Sequence, residues 1–289
     1  MARVGLTRNK GDYNMPELPE VETIRRTLKR FVEDKTIADI EVFWPKIIKQ
    51  PDDIEIFKTQ LFGQTFKDIK RKGKFLLFCL DDYVLVSHLR MEGKYNVWPK
   101  DEPRQKHTHV VFTFTNGEEL RYNDVRKFGT MHLFPKGSEF DSNPLKKLGP
   151  DPFDESFTFN YFYEKLKKTT RYIKPALLDQ SIVTGLGNIY VDETLFKSHI
   201  HPLKRANTLT KSEVELIREK TIETLNEAVQ LGGTTIRSYV STDGDMGMFQ
   251  QELFVYGQTD EPCKICHEPI EKLKVGGRGT HVCPTCQKK

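Results

Sequence analysis

The sequence predicts an α+β chain of several domains: a helix-led, mostly antiparallel β-sandwich or barrel, then a helical domain, then a metal-binding tail. Three observations carry that expectation. Apolar side chains recur at helical spacing over residues 17–32 and give way, from about 36 to 135, to short strand-like runs. A breaker-rich stretch, "LGPDPFDES" at 148–156, separates those runs from a region of helical periodicity. Four of the five cysteines fall in the last 27 residues.

The leading helix is read from Leu18, Val21, Ile24, Leu28 and Phe31, which share one face. Pro19 sits in its first turn, where a missing N–H costs no hydrogen bond. Glu17 and Glu20 lie three apart on that turn. From local sequence both can simply complement the helix dipole. "KFLLFCLDDYVLVSHL" reads as a hairpin turning at Asp81-Asp82, and "HTHVVFTFTNGEELRY" as one turning at Asn116-Gly117. "FGTMHLFP" supplies another strand. Past the boundary, "IKPALLDQ" and "NIYVDETLFKSH" read as helices separated by "SIVTGLG", with Asn188 as the cap of the second. A longer helix opens on a capping box, Thr210 to Glu213, and runs to Gly232-Gly233. "RSYVSTDGDMGMFQ" (237–250) is polar and glycine-spotted, the composition of a mobile loop.

Composition limits what the chain can be. With 289 residues, 30% charged and 37% apolar, it has the balance of a globular protein rather than a disordered one. A formal net charge of +4 permits a nucleic-acid partner without demanding one. No apolar run approaches the ~20 residues that span a bilayer. Residues 1–14 have no apolar core and are no secretory signal, so an intracellular, cytoplasmic protein with reduced thiols is expected. Cys79, inside "FLLFCL", reads as a buried apolar residue.

The tail contains Cys263-Lys-Ile-Cys266 and, sixteen residues on, Cys283-Pro-Thr-Cys286. Two such knuckles bring four thiolates to the corners of a tetrahedron, which suits one Zn2+ ion. With all four positions filled by cysteine, the expected metal is structural. Between the knuckles, "KVGGRGTHV" reads as a tight hairpin with Arg278 at its tip, a rigid mount for a phosphate contact or a solvated turn.

One stretch is odd. "NMPELPEVET" (14–23) reads like the start of a protein, with Pro16 directly after Met15. Lys10-Gly11-Asp12 can be encoded as AAA-GGA-GAT, which contains the core of a bacterial ribosome-binding site, and Tyr13-Asn14 then form a spacer. Translation is therefore expected to start at Met15, with the methionine removed and Pro16 left with a free secondary amine. Residues 1–14 would be a leader.

From Met15 to the C-terminus the chain resembles the bacterial formamidopyrimidine-DNA glycosylase (MutM) family. The resemblance rests on "PELPEVETIRR", "RKGKFLL", "SHLRMEGKY", "DVRKFG", "GLGNIYVDE", "GGTTIRSYV" and the cysteine tail, in that order. It implies an eight-stranded sandwich with a leading helix (15–147), a helix-two-turn-helix domain (148–250) and a zinc finger (251–289). It implies a monomer that excises oxidised purines from duplex DNA by flipping the damaged nucleotide out of the stack. Pro16 would be the nucleophile and Glu17 the general acid/base. Lys74 and Arg278 would contact phosphate and donate protons during strand cleavage. Met91, Arg126 and Phe128 would fill the hole left by the flipped nucleotide; Met91 and Phe128 flank expected strands and could simply be core, but their loop positions favour exposure. Asn188, His107, Arg171 and Lys174 would meet phosphates, with His109 also considered. Residues 237–250 would form a lid, with Gly244 and Gly247 letting it move. Three other functions compete: an oxidised-pyrimidine glycosylase of the same superfamily, a non-catalytic zinc-containing DNA-binding protein if residues 1–14 stay attached, and a proline-dependent tautomerase, which leaves the zinc tail unexplained.

Overall fold

The computed structural model describes residues 15–234 and 248–289. The expected leader, and residues 237–247 of the expected lid with Gly244 and Gly247, lie outside the described residues. In chain order the elements are α1 (Leu18–Val32), β1 (Ile37–Val42), β2 (Ile48–Gln50), α2 (Ile54–Leu61), β3 (Asp68–Lys72), β4 (Phe75–Cys79), β5 (Tyr83–His88), β6 (Lys94–Pro99), β7 (Thr108–Phe114), β8 (Glu118–Asn123), β9 (Thr130–Pro135), α3 (Phe159–Lys167), α4 (Ile173–Leu177), α5 (Asn188–Lys197), α6 (Lys211–Gln230), β10 (Glu271–Val275) and β11 (Arg278–Val282).

The first nine strands form two sheets, ordered β1-β7-β8-β6 and β2-β9-β5-β4-β3. Every pairing in them is antiparallel except that of the three-residue β2 with β9. The described residues thus give nine strands where eight were expected; β2 is too short to show alternation in sequence. Both expected hairpins form, β4–β5 and β7–β8. The alternating apolar residues meet between the sheets, where Phe66 stands edge-on to Phe78, Phe112 and Phe114.

The leading helix belongs to two cores. Val21, Ile24 and Leu28 pack into the sandwich. Leu18 packs instead into the helical core with Leu186, Ile189 and Tyr190. The Leu18 N–H also donates to the Gly185 carbonyl at 3.1 Å. The first turn of α1 is therefore lodged in the helical domain, and Pro16 and Glu17, just before it, lie at the seam.

Four helices, α3 to α6, enclose the second core. Thr210 and Glu213 make the expected capping box on α6. The two turns between α4 and α5 are built by side chains: Asp179 accepts from the Ser181 N–H, and Gln180 from the Gly185 N–H. In the tail, β10 and β11 form the hairpin between the two cysteine pairs.

Candidate active site

Glu17 is the N-cap of α1 and forms a capping box with Glu20, yet its carboxyl also reaches beyond that helix. It turns across the seam and accepts the N–H groups of Gly187 (2.7 Å), Ile189 (2.9 Å) and Tyr190 (3.4 Å), at the N-terminus of α5. Gly187 is required here, because a Cβ would collide with the Glu17 carboxyl. Glu20 completes the box by accepting the Glu17 N–H at 3.0 Å. Glu20 is in turn held by the Tyr190 hydroxyl and by the N–H and hydroxyl of Thr234. The two glutamates are thus not equivalent dipole partners.

Glu17 is 3% exposed. Burial, reinforced by Glu20 and opposed by Lys74 and the α5 N–H groups, pushes its carboxyl up to about 7. Such a group is shared between its acid and base forms near neutrality. Pro16, half-buried, immediately precedes it. Pro16 and Glu17 therefore stand side by side where the two domains meet.

Lys74, expected to open the strand, lies instead in the turn between β3 and β4, one residue before β4 begins. The hairpin is docked on the helical half: Asp151 accepts from the Gly73 N–H (3.3 Å) and from Arg71. Burial holds the Lys74 ammonium below the usual lysine range, against the pull of Glu17 and Glu20, and Arg278 pushes the same way. Lys74 therefore lies in the electrostatic field of Glu17 and Arg278 together.

Arg278 is the exposed first residue of β11, beside the Gly276-Gly277 turn rather than at its tip. Behind it the hairpin is keyed to the helical domain through the Gly279 carbonyl, which accepts from Lys174 (2.8 Å) and Asn188 (3.0 Å). Lys174 also donates to Asp192 at 2.7 Å, and both side chains are fully buried. Asp192 accepts the His281 N–H from the hairpin as well. Lys174 is therefore no phosphate contact, because its charge is spent inside the protein. Asn188 is the first helical residue of α5, not its cap; Gly187 is the N-cap and the Glu17 carboxylate satisfies the helix end.

The four tail cysteines are free thiols whose sulfurs all lie within 4.8 Å of one another. Cys263 and Cys286 sulfurs are 3.9 Å apart, and those of Cys266 and Cys283 are 3.4 Å apart. A tetrahedral zinc site with Zn–S bonds near 2.3 Å has sulfurs about 3.8 Å apart, so the cluster fits Zn2+. The Ile265 and Cys286 N–H groups point at the Cys263 and Cys283 sulfurs, a polar support suited to thiolates.

Met91 lies in the loop joining β5 to β6, half-buried. Arg126 and Phe128 lie in the loop joining β8 to β9, with Phe128 52% exposed. The Arg126 guanidinium sits over the Phe128 ring, 4.9 Å from its centroid. A core role for Phe128 is excluded by that exposure. Arg171 is exposed and paired with Asp179 at 2.8 Å. His107 has a left-handed backbone (φ 68°) and its carbonyl accepts the Asp124 N–H. His109 is buried and bonded to the Asp124 carbonyl, which leaves no reach toward a ligand. Three open clefts of about 610, 590 and 470 Å³ lie elsewhere and are lined by none of these residues.

Sequence reasoning did not find Tyr190, Thr234 or Asp192, whose partners belong to other elements of the chain. Gly187 did carry a signal, a glycine at the helix entrance.

Comparison with known proteins agrees with this architecture. Residues 15–131 match the family model of the formamidopyrimidine-DNA glycosylase N-terminal domain, 148–240 that of its H2TH domain, and 260–289 a zinc finger found in FPG and IleRS. A formamidopyrimidine-DNA glycosylase of Oceanobacillus iheyensis is 67% identical over 273 residues, 94% of this chain and 98% of that one. One from Bacillus licheniformis is 61% identical over 275 residues, 95% of this chain and all of its own. A Lactococcus lactis Fpg solved with abasic-site DNA superposes with a TM-score of 0.88 at 47% identity, covering 94% of this chain and 100% of that one. A mutant of the same Lactococcus lactis protein, solved with Fapy-dG DNA, gives 0.88 at 46%, covering 95% and 100%. At these identities, over nearly its whole length, the chain belongs to the formamidopyrimidine-DNA glycosylase family.

Proposed function

We propose that the chain is a bifunctional DNA glycosylase and abasic-site lyase that removes oxidised purines, 8-oxoguanine and formamidopyrimidines among them, from duplex DNA. One observation carries the reading: a carboxyl buried at a helix N-terminus, lifted to about 7, directly beside Pro16. The Lactococcus lactis relatives were solved with Fapy-dG or abasic-site DNA, and the same ligand classes suit this chain.

The chemistry follows from the residues. The secondary amine of Pro16 attacks C1′ of the flipped nucleotide, the bond from C1′ to the damaged base breaks, and the amine's proton leaves with the base, which restores the nitrogen lone pair. Glu17 in its acid form protonates the sugar ring oxygen, and the ring opens as the amine's lone pair forms an iminium. The iminium acidifies the adjacent carbon. Loss of that proton expels the 3′ phosphate, and a second elimination expels the 5′ phosphate. Lys74 and Arg278 hold the phosphates, and Lys74, whose ammonium burial holds below the usual lysine range, returns the protons. The step needs a free amine at Pro16, because an amide nitrogen has no nucleophilic lone pair.

Arg126 faces the orphaned base, and Met91 and Phe128 replace its lost stacking. Asn188, Arg171 and His107 track the backbone phosphates. Cys263, Cys266, Cys283 and Cys286 hold one Zn2+ ion, which has no open position and orders the hairpin that presents Arg278. The test uses a duplex with oxidised guanine opposite cytosine. The chain starting at Pro16 releases the base and cuts the strand on both sides. Glu17→Gln slows base release by about 10²- to 10⁴-fold, the contribution expected of a positioned general acid. Base release at the unaltered rate by Glu17→Gln contradicts the assignment.

A further inference from the structure

Two buried side chains near the wedge loops take no part in the chemistry above. The Asp124 carboxylate accepts three backbone donors from the loop that follows it: the N–H of Arg126 (3.0 Å), Phe128 (2.9 Å) and Gly129 (2.8 Å). Those donors fix the backbone that carries Arg126 and Phe128 from the inside and leave both side chains free. Lys127, between them, lies over the Trp44 ring, 3.9 Å from its centroid, and pins the loop from the outside.

Tyr122 joins this loop to the one that carries Met91. Its hydroxyl is 3.5 Å from the Asp124 carboxylate, at the long limit of a hydrogen bond. A Cβ on Gly129 would collide with that hydroxyl, and so would one on Gly93, which follows Met91 by two residues. The hydroxyl therefore occupies the gap between the two loops, and the two glycines leave room for it. The arrangement extends into the sheet. Tyr122 on β8 is paired with Tyr95 on β6, their rings 4.9 Å apart, and the Tyr95 hydroxyl is bonded to Ser87 on β5, the strand that leads into the Met91 loop.

We infer that Asp124 and Tyr122 are positioning residues that lock the two loops into one rigid unit, so that Met91, Arg126 and Phe128 enter the base stack together. The inference rests on the wedge role proposed above for those three side chains. A preformed wedge loses no loop entropy on insertion, and a rigid unstacking group is most useful where the base is still paired.

The experiment compares Asp124→Asn, Tyr122→Phe and Phe128→Ala, and each of the first two combined with Phe128→Ala. Each acts on a duplex with oxidised guanine opposite cytosine and on a duplex with a pre-formed abasic site. A 2-aminopurine beside the lesion reports unstacking by its fluorescence. Asp124→Asn is expected to slow base release about tenfold or more and Tyr122→Phe about threefold, each with a matching delay in the fluorescence rise. Cutting at the abasic site changes by less than about twofold. In the Phe128→Ala background neither change adds its full effect, because both act through the wedge. Equal losses for Phe128→Ala on both substrates defeat the wedge reading itself. A duplex-specific loss for Phe128→Ala, with Asp124→Asn and Tyr122→Phe either without effect or fully additive, overturns the positioning role alone. Tyr122→Phe removes one hydroxyl and keeps the ring, so it decides the question even if Asp124→Asn does not fold.

Discussion

The seam that holds Glu17 and the hairpin that holds Arg278 position charge in opposite ways. Glu17 is buried, and three N–H groups of α5 grip it while burial still raises its carboxyl to about 7. Arg278 is exposed, and what holds it is indirect: a four-cysteine cluster at the hairpin's base and two side chains on the Gly279 carbonyl behind it. The difference matches the tasks proposed for them. A group that must gain and lose a proton works best in a dry site where its two forms are balanced. An arginine keeps its charge and needs only a fixed direction toward a phosphate. Damage to the seam should therefore strike chemistry, and damage to the hairpin should strike binding.

The largest effect is expected from Gly187→Ala. The added methyl displaces the Glu17 carboxyl from the α5 N-terminus, and base release should fall by about 10²-fold or more, as for loss of a positioned acid. Single-turnover kinetics on the oxidised-guanine duplex check it; a loss confined to DNA affinity would break the contrast. Next comes the metal. Chelation, or Cys283→Ser, should weaken lesion-DNA binding at least about tenfold by freeing the Arg278 hairpin, while the sandwich stays folded. Gel-shift titration and circular dichroism together test this, and binding as tight as that of the zinc-loaded protein would detach the tail from the site.

A smaller effect sharpens the same comparison. The acid form of Glu17 is depleted as pH rises through about 7. The neutral form of a free proline amine grows as pH rises toward its reference range of ~7.7–8.0. Base release should therefore peak between those values, and Glu17→Gln should lose the decline on the alkaline side. DNA affinity, which the proposed reading assigns in part to Arg278, should not follow that profile. A pH–rate curve for Glu17→Gln with the same alkaline decline would reassign the limb.

What was legible in the sequence follows from the distance between partners. The zinc ligands announce themselves because each knuckle is local. The Asn116-Gly117 turn and the Thr210–Glu213 box are local too, and all three form as expected. Glu17 was ambiguous because its partners lie about 170 residues downstream. Lys174 was misread because the carboxylate that buries it, Asp192, is on the next helix. Asn188 was read as a cap, since a helix opening on asparagine resembles one; a carboxylate from the other domain does that work. The Asp124 clamp could have been found: an aspartate followed by a short loop is the pattern of a side chain bonding its own backbone two residues on. Helices α2 and α3, eight and nine residues long, were too short to stand out by periodicity.

The central claim is that the Pro16 amine attacks the sugar with Glu17 beside it. Borohydride trapping on a duplex with oxidised guanine opposite cytosine tests it most directly, using the chain begun at Met15 and the chain begun at Met1, with intact mass measured for each. The first should lose its methionine and form a covalent adduct whose attachment maps to Pro16. The second, if it keeps residues 1–14, binds lesion DNA without trapping. A strong adduct from a chain whose mass still includes residues 1–14 would show that Pro16 is not the nucleophile.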